Sequence, residues 1–496
     1  MEFISGAFNL YFKSLPLFID PTTIGLLFLG SVIGIIFGSL PGLTSTMALA
    51  LFTPLTLELE PKQSFVFLIA IYNLSVYGGS ISAILINIPG TPSAIVTGLD
   101  GHPMAKRGEA GRAIGLATVA SALGGFFGML VLILVAPSIA KLALKFHSTD
   151  YALLALMGIT LIAYISGRSV IKGLIAGFLG LLIASIGQDP MVAFPRFTFG
   201  LMDLTGGVEF IPALIGIFGV TEVLVQLEEG FIQERSRQKI SKILSCFSEL
   251  KRLWGTIIRA SAIGTFIGAV PGTGGSIAAM TSYGIEKQSS RRSEEFGTGI
   301  PEGIVAPESA NNASVGGALI PMLTLGIPGD PMTAVLIGSL LFHGLVPGPL
   351  LFQKHPDFVS AIFISLTLSS FIILLLGILG ARFFAKVLHL PKYILMPTIL
   401  VLCIIGSYAI RMSLFDVGVT SILGILGFLL NKVGIPVAPI SLGMILGPLL
   451  EDNFRRALVI SGGSYAPFYT RPSGLLLIFI TILILVFPFI QKRFRR

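Results

Sequence analysis

The sequence predicts an all-α polytopic membrane protein with about ten to twelve membrane elements, arranged as two inverted repeats. Three observations support this fold class: an apolar composition, long apolar segments, and Pro-Gly interruptions that recur in pairs. Of the 496 residues, 53% are hydrophobic and 12% are charged, whereas a soluble domain carries about 25% charged residues. So few charges could not cover a protein of this size in water, and the remaining apolar surface is expected to face lipid.

Eight largely uninterrupted apolar segments approach the length of about 20 residues that crosses a bilayer. Each is predicted to form one membrane helix. They are Ala113–Ala136, Tyr151–Ile165, Val170–Ile186, Phe210–Leu227, Ser360–Leu388, Ile394–Tyr408, Val417–Leu430 and Leu475–Ile490.

Four further apolar segments contain a Pro-Gly step or a Gly-Gly pair at mid-membrane depth. Proline removes a backbone donor and clashes with the preceding turn, and glycine adds backbone freedom, so a helix is expected to stop there. The four segments are Thr22–Leu57, Ser64–Leu99, Thr256–Ile285 and Ile300–Leu345.

The interruptions recur in the same order, which indicates an internal duplication. The three pairs of motifs, at offsets of 230, 239 and 238 positions, are Pro41-Gly42 with Pro271-Gly272, Pro89-Gly90 with Pro328-Gly329, and Asn73…Gly78-Gly79 with Asn311…Gly316-Gly317. A weaker fourth match pairs Gln188-Asp189 and Arg196 with Glu451-Asp452 and Arg455.

These matches and the charged segments predict five regions. The polar stretch near the middle of the chain is expected to hold an amphipathic helix lying at the cytoplasmic interface. The regions are an N-terminal interfacial segment (1–19), membrane repeat 1 (20–228), a cytoplasmic amphipathic linker (229–254), membrane repeat 2 (255–473), and a C-terminal span with a basic cytoplasmic tail (474–496).

Loop charges predict that the two repeats are inverted. After the first break, repeat 1 carries the acidic pair Glu58 and Glu60, whereas repeat 2 carries the basic pair Arg291-Arg292. After the second break, repeat 1 carries Lys106-Arg107, whereas repeat 2 is almost uncharged as far as Lys354. Because basic loops stay on the cytoplasmic side, equivalent loops are expected on opposite sides of the membrane.

Two geometries are open for the first break of each repeat. The linker near residue 240 and the loop near residue 291 both carry cytoplasmic signals, so segment 256–285 is expected to be a re-entrant hairpin with its tip at Pro271-Gly272. The alternative is one broken helix that crosses the membrane completely.

The breaks predict a binding site for an anion and a coupling ion. Freed backbone groups are tolerated only where they are buried in protein or line a wet cavity. A restarting helix directs its positive N-terminus at that cavity, which suits a carboxylate, while unwound carbonyls suit Na⁺. The predicted substrate-binding residues are Pro41, Gly42, Thr44, Ser45, Thr46, Asn73, Pro271, Gly272, Thr273, Gly274, Gly275, Ser276, Asn311 and Asn312. The predicted ion-coupling residues are Asn87, Pro89, Gly90, Thr91, Glu308, Pro328, Gly329 and Asp330. The competing interpretation is that such small residues only allow helices to pack closely.

Acidic residues at membrane depth are a second signal, because a buried charge is expensive and by default marks an ion pathway. Glu308 and Asp330 are the better placed, and Glu308 lies about one helical turn before Asn311. Glu302 and Glu209 have an equally good alternative as interfacial residues.

Several function classes lack support in the sequence. There is no P-loop, HExxH or GxSxG motif, the five histidines show no metal-ligand spacing, and the two cysteines form no motif. The first twenty residues lack the features of a signal peptide and are expected to be mature protein. The net charge of +8 lies in short loops between apolar runs and does not indicate nucleic-acid binding. We therefore expect neither an ATPase nor another enzyme, and no cofactor beyond Na⁺ or H⁺ as coupling ion.

Long motifs resemble the large membrane subunit (TctA) of tripartite tricarboxylate transporters, and the likeness covers nearly the whole chain. The motifs are GSLPGLTSTMALALFTPLT (38–56), YGGSISAILINIPGTPSAIVTGLDGHPMAKRGEAGRAIG (77–115), PRFTFG (195–200), GAVPGTGGSIAAMTSYGIEK (268–287), GIVAPESANNASVGGALIPMLTLGIPGDPMTAVLIGSL (303–340) and LEDNFRRALVISGG (450–463).

The resemblance implies a permease of the prokaryotic cytoplasmic (inner) membrane that takes up carboxylates such as citrate, driven by an ion gradient. It also implies a small membrane subunit (TctB-like) and an extracytoplasmic solute-binding protein (TctC-like) as partners. Two alternatives stay open from the residues: an intramembrane enzyme that uses Glu308 or Asp330, and a passive channel.

Overall fold

The computed structural model describes residues 15–18, 20–165, 169–230, 249–388 and 390–494, with single residues at 6, 8, 11, 12 and 243. In this part of the chain nearly all regular structure is helical, and its β-structure is one antiparallel pair, β1 (Gly187–Gln188) and β2 (Pro195–Arg196). Seven of the described helices are long and apolar enough to cross a membrane. The all-α polytopic class is therefore confirmed. Most of the predicted linker helix lies outside the described residues.

Short 3-10 turns apart, the described part of the first half contains eight helices. They are α1 (Pro21–Ser39), α2 (Ser45–Phe52), α3 (Pro61–Ile86), α4 (Ala94–Met104), α5 (Ala110–Ala143), α6 (Ser148–Ile165), α7 (Val170–Ala184) and α8 (Phe210–Glu229).

The described part of the second half contains twelve helices, of which three are short and one is the final helix. Its helices are α9 (Leu250–Gly268), α10 (Gly274–Ser289), α11 (Glu302–Leu325), α12 (Pro331–Phe342), α13 (Pro349–Lys354), α14 (Pro356–Leu379), α15 (Ala381–Val387), α16 (Lys392–Arg411), α17 (Leu414–Lys432), α18 (Ala438–Ile460), α19 (Ala466–Thr470) and α20 (Pro472–Phe494).

The chain divides into two compact units, and each combines corresponding parts of both repeats. The first unit contains residues 1–140 and 222–402, and the second contains residues 141–221 and 403–496. All four predicted helix breaks belong to the first unit.

The first break of repeat 2 is the tip of a hairpin. Thr256, near the start of α9, donates a hydrogen bond of 2.8 Å to Glu286, near the end of α10, and Arg259 pairs with the same carboxylate. The start of one helix can meet the end of the next only if the chain turns back between them. The hairpin interpretation is therefore correct here, and the fully crossing broken helix is wrong.

Repeat 1 turns back at the equivalent position. The rings of Phe37 on α1 and Phe52 at the end of α2 lie 5.5 Å apart, whereas 15 residues of continuous helix would separate them by about 20 Å. The tip glycines Gly42 and Gly272 have φ angles of 91° and 83°. Only glycine adopts this conformation easily, which explains why both turns carry it.

The inverted relation of the repeats is visible where α3 meets α11. These helices carry the matching motifs of Asn73 and Asn311 and are therefore equivalent. Asn312 donates to the side chain of Asn73 at 3.0 Å, and Glu308 accepts from Ser80 at 2.5 Å. Residue numbers rise along α3 as they fall along α11, so these two equivalent helices run antiparallel, as the prediction of inverted repeats requires.

In each repeat, glycines let the first helix of the hairpin pack against the helix that follows the hairpin. Cβ atoms placed on Gly30 and Gly34 of α1 would lie 2.5 and 2.7 Å from the carbonyl oxygens of Phe67 and Ile71 on α3. Gly264 and Gly268 of α9 meet the carbonyls of Ala310 and Ser314 on α11 in the same way. Small residues at such spacing let membrane helices approach to backbone contact.

Replacing Gly268 by valine is expected to destabilise the first unit, because the new side chain would overlap the Ser314 carbonyl. Overpacking of this kind costs about 1–3 kcal/mol. Thermal unfolding in detergent would measure the effect. The control is Gly255→Val on the same helix, where a Cβ meets nothing within 4 Å. Equal unfolding temperatures for both variants would contradict the packing role.

In the second unit, the weak fourth sequence match does not join equivalent elements. Asp189 and Arg196 lie on a hairpin loop between α7 and α8, whereas Glu451 and Arg455 lie within helix α18. The motifs instead bind each other: Arg196 pairs with Glu451 and Arg455 with Asp189, each at 2.6 Å. The match arose from a short pattern of charges, which many unrelated segments share.

The Asp189–Arg455 pair predicts a dependence of stability on pH. Hydrogen bonds from Arg455 and from the Met191 amide lower the pKa of Asp189 from 3.8 to about 2. A carboxyl group whose pKa is lower in the folded state stabilises the fold above its unfolded pKa and loses this effect as the pH falls through its folded pKa. Asp189→Asn is therefore expected to lower the unfolding temperature at neutral pH, with the deficit shrinking between about pH 4 and pH 2. Asp203→Asn is the control, and a deficit that does not depend on pH would contradict the assignment.

Candidate functional site

The first and second breaks of each repeat lie against one another. In repeat 2, the amide of Gly272 donates to the carbonyl of Gly329 at 2.7 Å. In repeat 1, a Cβ placed on Gly90 would overlap the carbonyl oxygen of Gly38, at the end of α1. The sequence-predicted Pro-Gly motifs of one repeat therefore form one local structure.

Residues of both repeats meet at the second break of repeat 2. Asp330 is buried and accepts a hydrogen bond from Tyr72 on α3, while Thr46 on α2 lies 3.2 Å from the sulfur atom of Met332. A Cβ placed on Gly274, at the start of α10, would lie 3.5 Å from the Cβ of Asp330. Residues of α2 and α3 from repeat 1 therefore lie beside the second break of repeat 2. The start of α10 lies beside the same break.

The start of α10 is the best candidate for binding an anion. Thr273, the residue before the helix, makes no cap hydrogen bond, because its hydroxyl donates back to the carbonyls of Ile267 and Val270. The first amides of α10 therefore lack a side-chain acceptor from their N-cap residue. The tip residues from Pro271 to Ser276 are all only half-buried. A carboxylate here would meet amides that have no N-cap acceptor and the positive end of a helix of 16 residues.

Asn311 faces this helix start. Its Oδ1 atom is buried and has no hydrogen-bond partner among the described residues. A Cβ placed on Gly275 would overlap this atom and would lie 3.2 Å from the hydroxyl of Ser314. The Nδ2 atom lies 3.5 Å from the carbonyl of Val76, a weak contact. A 180° rotation of the amide would direct a donor at the helix start instead.

Asn312 and Asn73 have a different environment. Asn312 donates to the backbone and side-chain oxygens of Asn73, at 3.1 and 3.0 Å. Asn73 in turn donates to Ser369 and Ser370 on α14, at 2.9 and 3.2 Å. These amides join the two repeats to α14, although the Oδ1 atom of Asn312, like that of Asn311, is buried without a hydrogen-bond partner among the described residues.

Glu308 lies where α11 meets α3, α4 and α5. Its Oε1 atom accepts hydrogen bonds from Ser80 at 2.5 Å and from Thr97, and its Oε2 atom accepts from Ser121 at 2.7 Å. The side chain is fully buried. All three of these hydrogen-bond partners of Glu308 are hydroxyl groups, which can both donate and accept. The carboxyl group can therefore be hydrogen-bonded with or without a proton.

Asp330 has a clear structural role. It caps α12 by accepting from the amide of Thr333 at 2.8 Å, and the Thr333 hydroxyl completes the capping box. Glu308, the other buried carboxylate predicted to couple an ion, caps no helix. Its hydrogen bonds among the described residues come from side-chain hydroxyls.

The other predicted ion-coupling residues mainly shape the second break of repeat 1. Asn87 ends α3 with a left-handed φ of 58°, as Gly326 ends α11 with a φ of 71°. The hydroxyl of Thr91 lies 3.2 Å from that of Ser93.

The predicted substrate-binding residues of repeat 1 include Thr44, Ser45 and Thr46. Thr44 caps α2 by accepting from the Met47 amide at 3.1 Å, and Ser45 and Thr46 are buried in the first turn of α2.

Glu302 and Glu209 fit the interfacial interpretation. Glu302 lies in the first turn of α11 and pairs with Arg252 and Arg292. In the second unit, Glu209 precedes α8 and lies 3.7 Å from Arg411.

Several polar groups were not predicted. Tyr72 and the hydroxyls around Glu308 come from helices that are distant in sequence from Asp330 and Glu308. Gln226 lies against the hairpin tip of repeat 1, where a Cβ placed on Gly42 would overlap its side chain. Its Oε1 atom accepts a hydrogen bond from Lys392 at 2.8 Å.

Asp100 was not predicted either. It is buried and accepts from Tyr283 at 2.8 Å and from the amides of Gly297, Gly299 and Ile300. An acidic residue inside the apolar segment 64–99 or just after it was the signal that could have identified it.

Comparison with known proteins gives one family and two relatives. The model of the "Tripartite tricarboxylate transporter TctA family" matches residues 24–442. An Agrobacterium vitis protein described as "Uncharacterized 52.8 kDa protein in TAR-I ttuC' 3'region" is 38% identical over 454 residues, which cover 92% of this chain and 90% of the relative. A second Agrobacterium vitis protein, "Uncharacterized protein in TAR-II ttuC' 3'region", is 39% identical over 209 residues, which cover 42% of this chain and 86% of the relative. No solved structure matches.

Proposed function

Because the chain belongs to the tripartite tricarboxylate transporter TctA family, we propose that it is the large permease subunit of a binding-protein-dependent secondary transporter for carboxylates. It takes up citrate-like di- or tricarboxylates across the prokaryotic cytoplasmic membrane. A small membrane subunit and an extracytoplasmic solute-binding protein act with it. Transport follows alternating access between the inverted repeats.

The observation that carries this proposal is the uncapped start of α10 beside Asn311. A carboxylate group of the substrate binds the first amides of α10, with the side chain of Ser276 within the same turn. The Asn311 amide rotates to donate to the substrate. In repeat 1 the start of α2 is capped by Thr44, so the start of α10 is the carboxylate-binding end in this proposal.

Glu308 couples transport to an ion gradient. A carboxylate at this depth is costly unless it binds a proton or a cation. Its three hydroxyl partners come from α3, α4 and α5, so its charge state acts directly on the contact between the repeats. Asp330 contributes by fixing the second break in position.

The decisive experiment is flux into proteoliposomes that contain the chain with its cognate small subunit and binding protein. Sodium and proton gradients are imposed separately. Substrate accumulation that collapses with one of the gradients supports the proposal. Uptake that never exceeds equilibrium and ignores both gradients would indicate a passive channel, and conversion of the solute without flux would indicate an intramembrane enzyme.

A further inference from the structure

Asp100 joins a helix of repeat 1 to the hairpin and the following loop of repeat 2. It lies on α4 and is fully buried. Its Oδ1 atom accepts hydrogen bonds from the amides of Gly297, Gly299 and Ile300, at 2.9, 2.8 and 3.0 Å. Its Oδ2 atom accepts from the hydroxyl of Tyr283 on α10, at 2.8 Å. Both carboxylate oxygens therefore bind repeat 2, one through the loop and one through the hairpin.

The loop of residues 290–301, between α10 and α11, is shaped for this contact. Gly297 and Gly299 have φ angles of 94° and 105°, which glycine adopts easily. These turns direct three amides of the loop at one carboxylate oxygen. Arg107 holds the same turns by donating to the carbonyls of Thr298 and Gly299, each at 2.7 Å. The contact therefore depends on this one conformation of the loop.

Repeat 1 provides no equivalent contact at the corresponding position. The offset of 239 positions between the second breaks places Ser339 of α12 where Asp100 lies on α4. The Ser339 hydroxyl is buried and has no hydrogen-bond partner among the described residues. The corresponding loop of repeat 1, residues 53–60, is also shorter. The carboxylate is thus specific to the hairpin that carries the candidate anion-binding helix, α10.

The same side of α4 also binds Glu308. Thr97 precedes Asp100 by about one helical turn and donates a hydrogen bond to Glu308. Further along, a Cβ placed on Gly303 at the start of α11 would overlap the Asp100 carboxylate, so the two helices lie close together here. Two successive turns of α4 therefore contact the candidate coupling carboxylate and the hairpin helix α10.

Helix α10 connects this contact to the candidate anion site. Ser282 donates to the Ala306 carbonyl of α11 at 3.1 Å, and the next residue, Tyr283, donates to Asp100. Tyr283 lies on the same continuous helix as Gly274, about 14 Å further along its axis. A displacement of α4 would therefore be passed through the Tyr283 hydroxyl to the half-buried residues at the start of α10.

We propose that Asp100 is a positioning residue through which α4 transmits ion binding at Glu308 to the start of α10. An ion or proton on Glu308 changes its bond with Thr97 and thereby the position of α4. Asp100 moves with α4, and α10 follows. Ion and carboxylate then change each other's affinity by the same factor, as linkage requires. This inference rests on the proposed function, which assigns the ion to Glu308 and the carboxylate to α10.

Hydrogen exchange of the purified chain tests the link through a double-mutant cycle. Glu308→Gln mimics the neutral state of Glu308, and the measured quantity is the amide exchange rate of α10. We expect Glu308→Gln to change this rate about fivefold or more when Asp100 is present. In the Asp100→Asn background the change should disappear, because asparagine has nearly the same size but one acceptor atom fewer.

Asp357→Asn is the matched control. Asp357 is an exposed residue in the first turn of α14, in the same unit, and its replacement should leave the response of α10 to Glu308→Gln intact. An equal response with and without Asp100 would show that Asp100 only anchors the loop, and would overturn the proposal. An α10 that does not respond to Glu308→Gln in the unmodified background would overturn it as well.

Tyr283→Phe keeps the proposal testable if Asp100→Asn does not fold. It removes the hydrogen bond from α10 to Asp100 but keeps the ring, which packs edge-on against Phe296 with 5.4 Å between the centroids. The loop amides should stay protected in this variant, while the response of α10 to Glu308→Gln falls. A full response would exclude Tyr283 and Asp100 as the connection.

A transport measurement separates this inference from the proposed function. In proteoliposomes with the complete assembly, lowering the coupling ion tenfold should raise the KM for labelled citrate, and Asp100→Asn should remove this dependence. A KM raised by the same factor at both ion concentrations would indicate a purely structural role and contradict the proposal. If the unmodified assembly shows no gradient-driven uptake of di- or tricarboxylates, the proposed function fails. The exchange measurement still decides whether Asp100 links Glu308 to α10.

Discussion

Glu308→Gln is expected to abolish gradient-driven accumulation of substrate while exchange of substrate across the membrane continues. Glutamine keeps the size of the side chain and can hydrogen-bond with Ser80, Thr97 and Ser121, but it cannot bind or release a proton. A potential of about 100 mV is worth about 2.3 kcal/mol per charge, which corresponds to about a fiftyfold concentration ratio. Loss of one coupled charge should lower accumulation by about this factor at that potential.

Counterflow and net uptake in the same proteoliposomes separate coupling from binding. Glu302→Gln is the control, because Glu302 lies on the same helix but pairs with Arg292 and Arg252. An unchanged accumulation ratio for Glu308→Gln would show that the coupling group is elsewhere. Loss of both counterflow and uptake would assign Glu308 a structural role instead.

The second large effect is expected at Gly275. A valine there would overlap the Oδ1 atom of Asn311 and crowd Ser314, thereby filling the region before α10. Overpacking by about 1–3 kcal/mol translates into an about fivefold to 150-fold loss of substrate affinity. Substrate binding to the purified assembly and uptake into proteoliposomes measure the loss.

Gly284→Val controls for a β-branched residue on the same helix, because a Cβ at Gly284 meets nothing within 4 Å. Gly275→Ala provides a smaller intrusion and should give a smaller loss. Normal affinity in Gly275→Val, with the protein folded and inserted, would exclude the start of α10 as the binding site.

The duplicated architecture could be predicted because the backbone itself demands the residues that mark it. A tight turn with a φ near 90° requires glycine, so Gly42 and Gly272 record the hairpins directly in the sequence. Loop charges record the orientation, because membrane insertion depends on them. Both signals are local; the glycines are kept in both repeats, whereas the loop charges are reversed between them.

The partners of the buried carboxylates could not be predicted. Ser80, Thr97 and Ser121 are ordinary residues for close helix packing, and only the tertiary fold brings them to Glu308. Asn311 and Asn312 are adjacent in sequence, yet a helix turns about 100° between them. One therefore faces the hairpin and the other faces Asn73, a distinction that a motif does not contain.

The glycine contacts between α1 and α3 restrict how the first hairpin can move. With Gly30, Gly34 and Gly38 each against a carbonyl one turn further along α3, a slide along the helix axis would drive backbone into backbone. The two helices therefore behave as a single rigid frame. Any opening of this hairpin has to pivot about its tip at Gly42, with the short arm α2 as the swinging part.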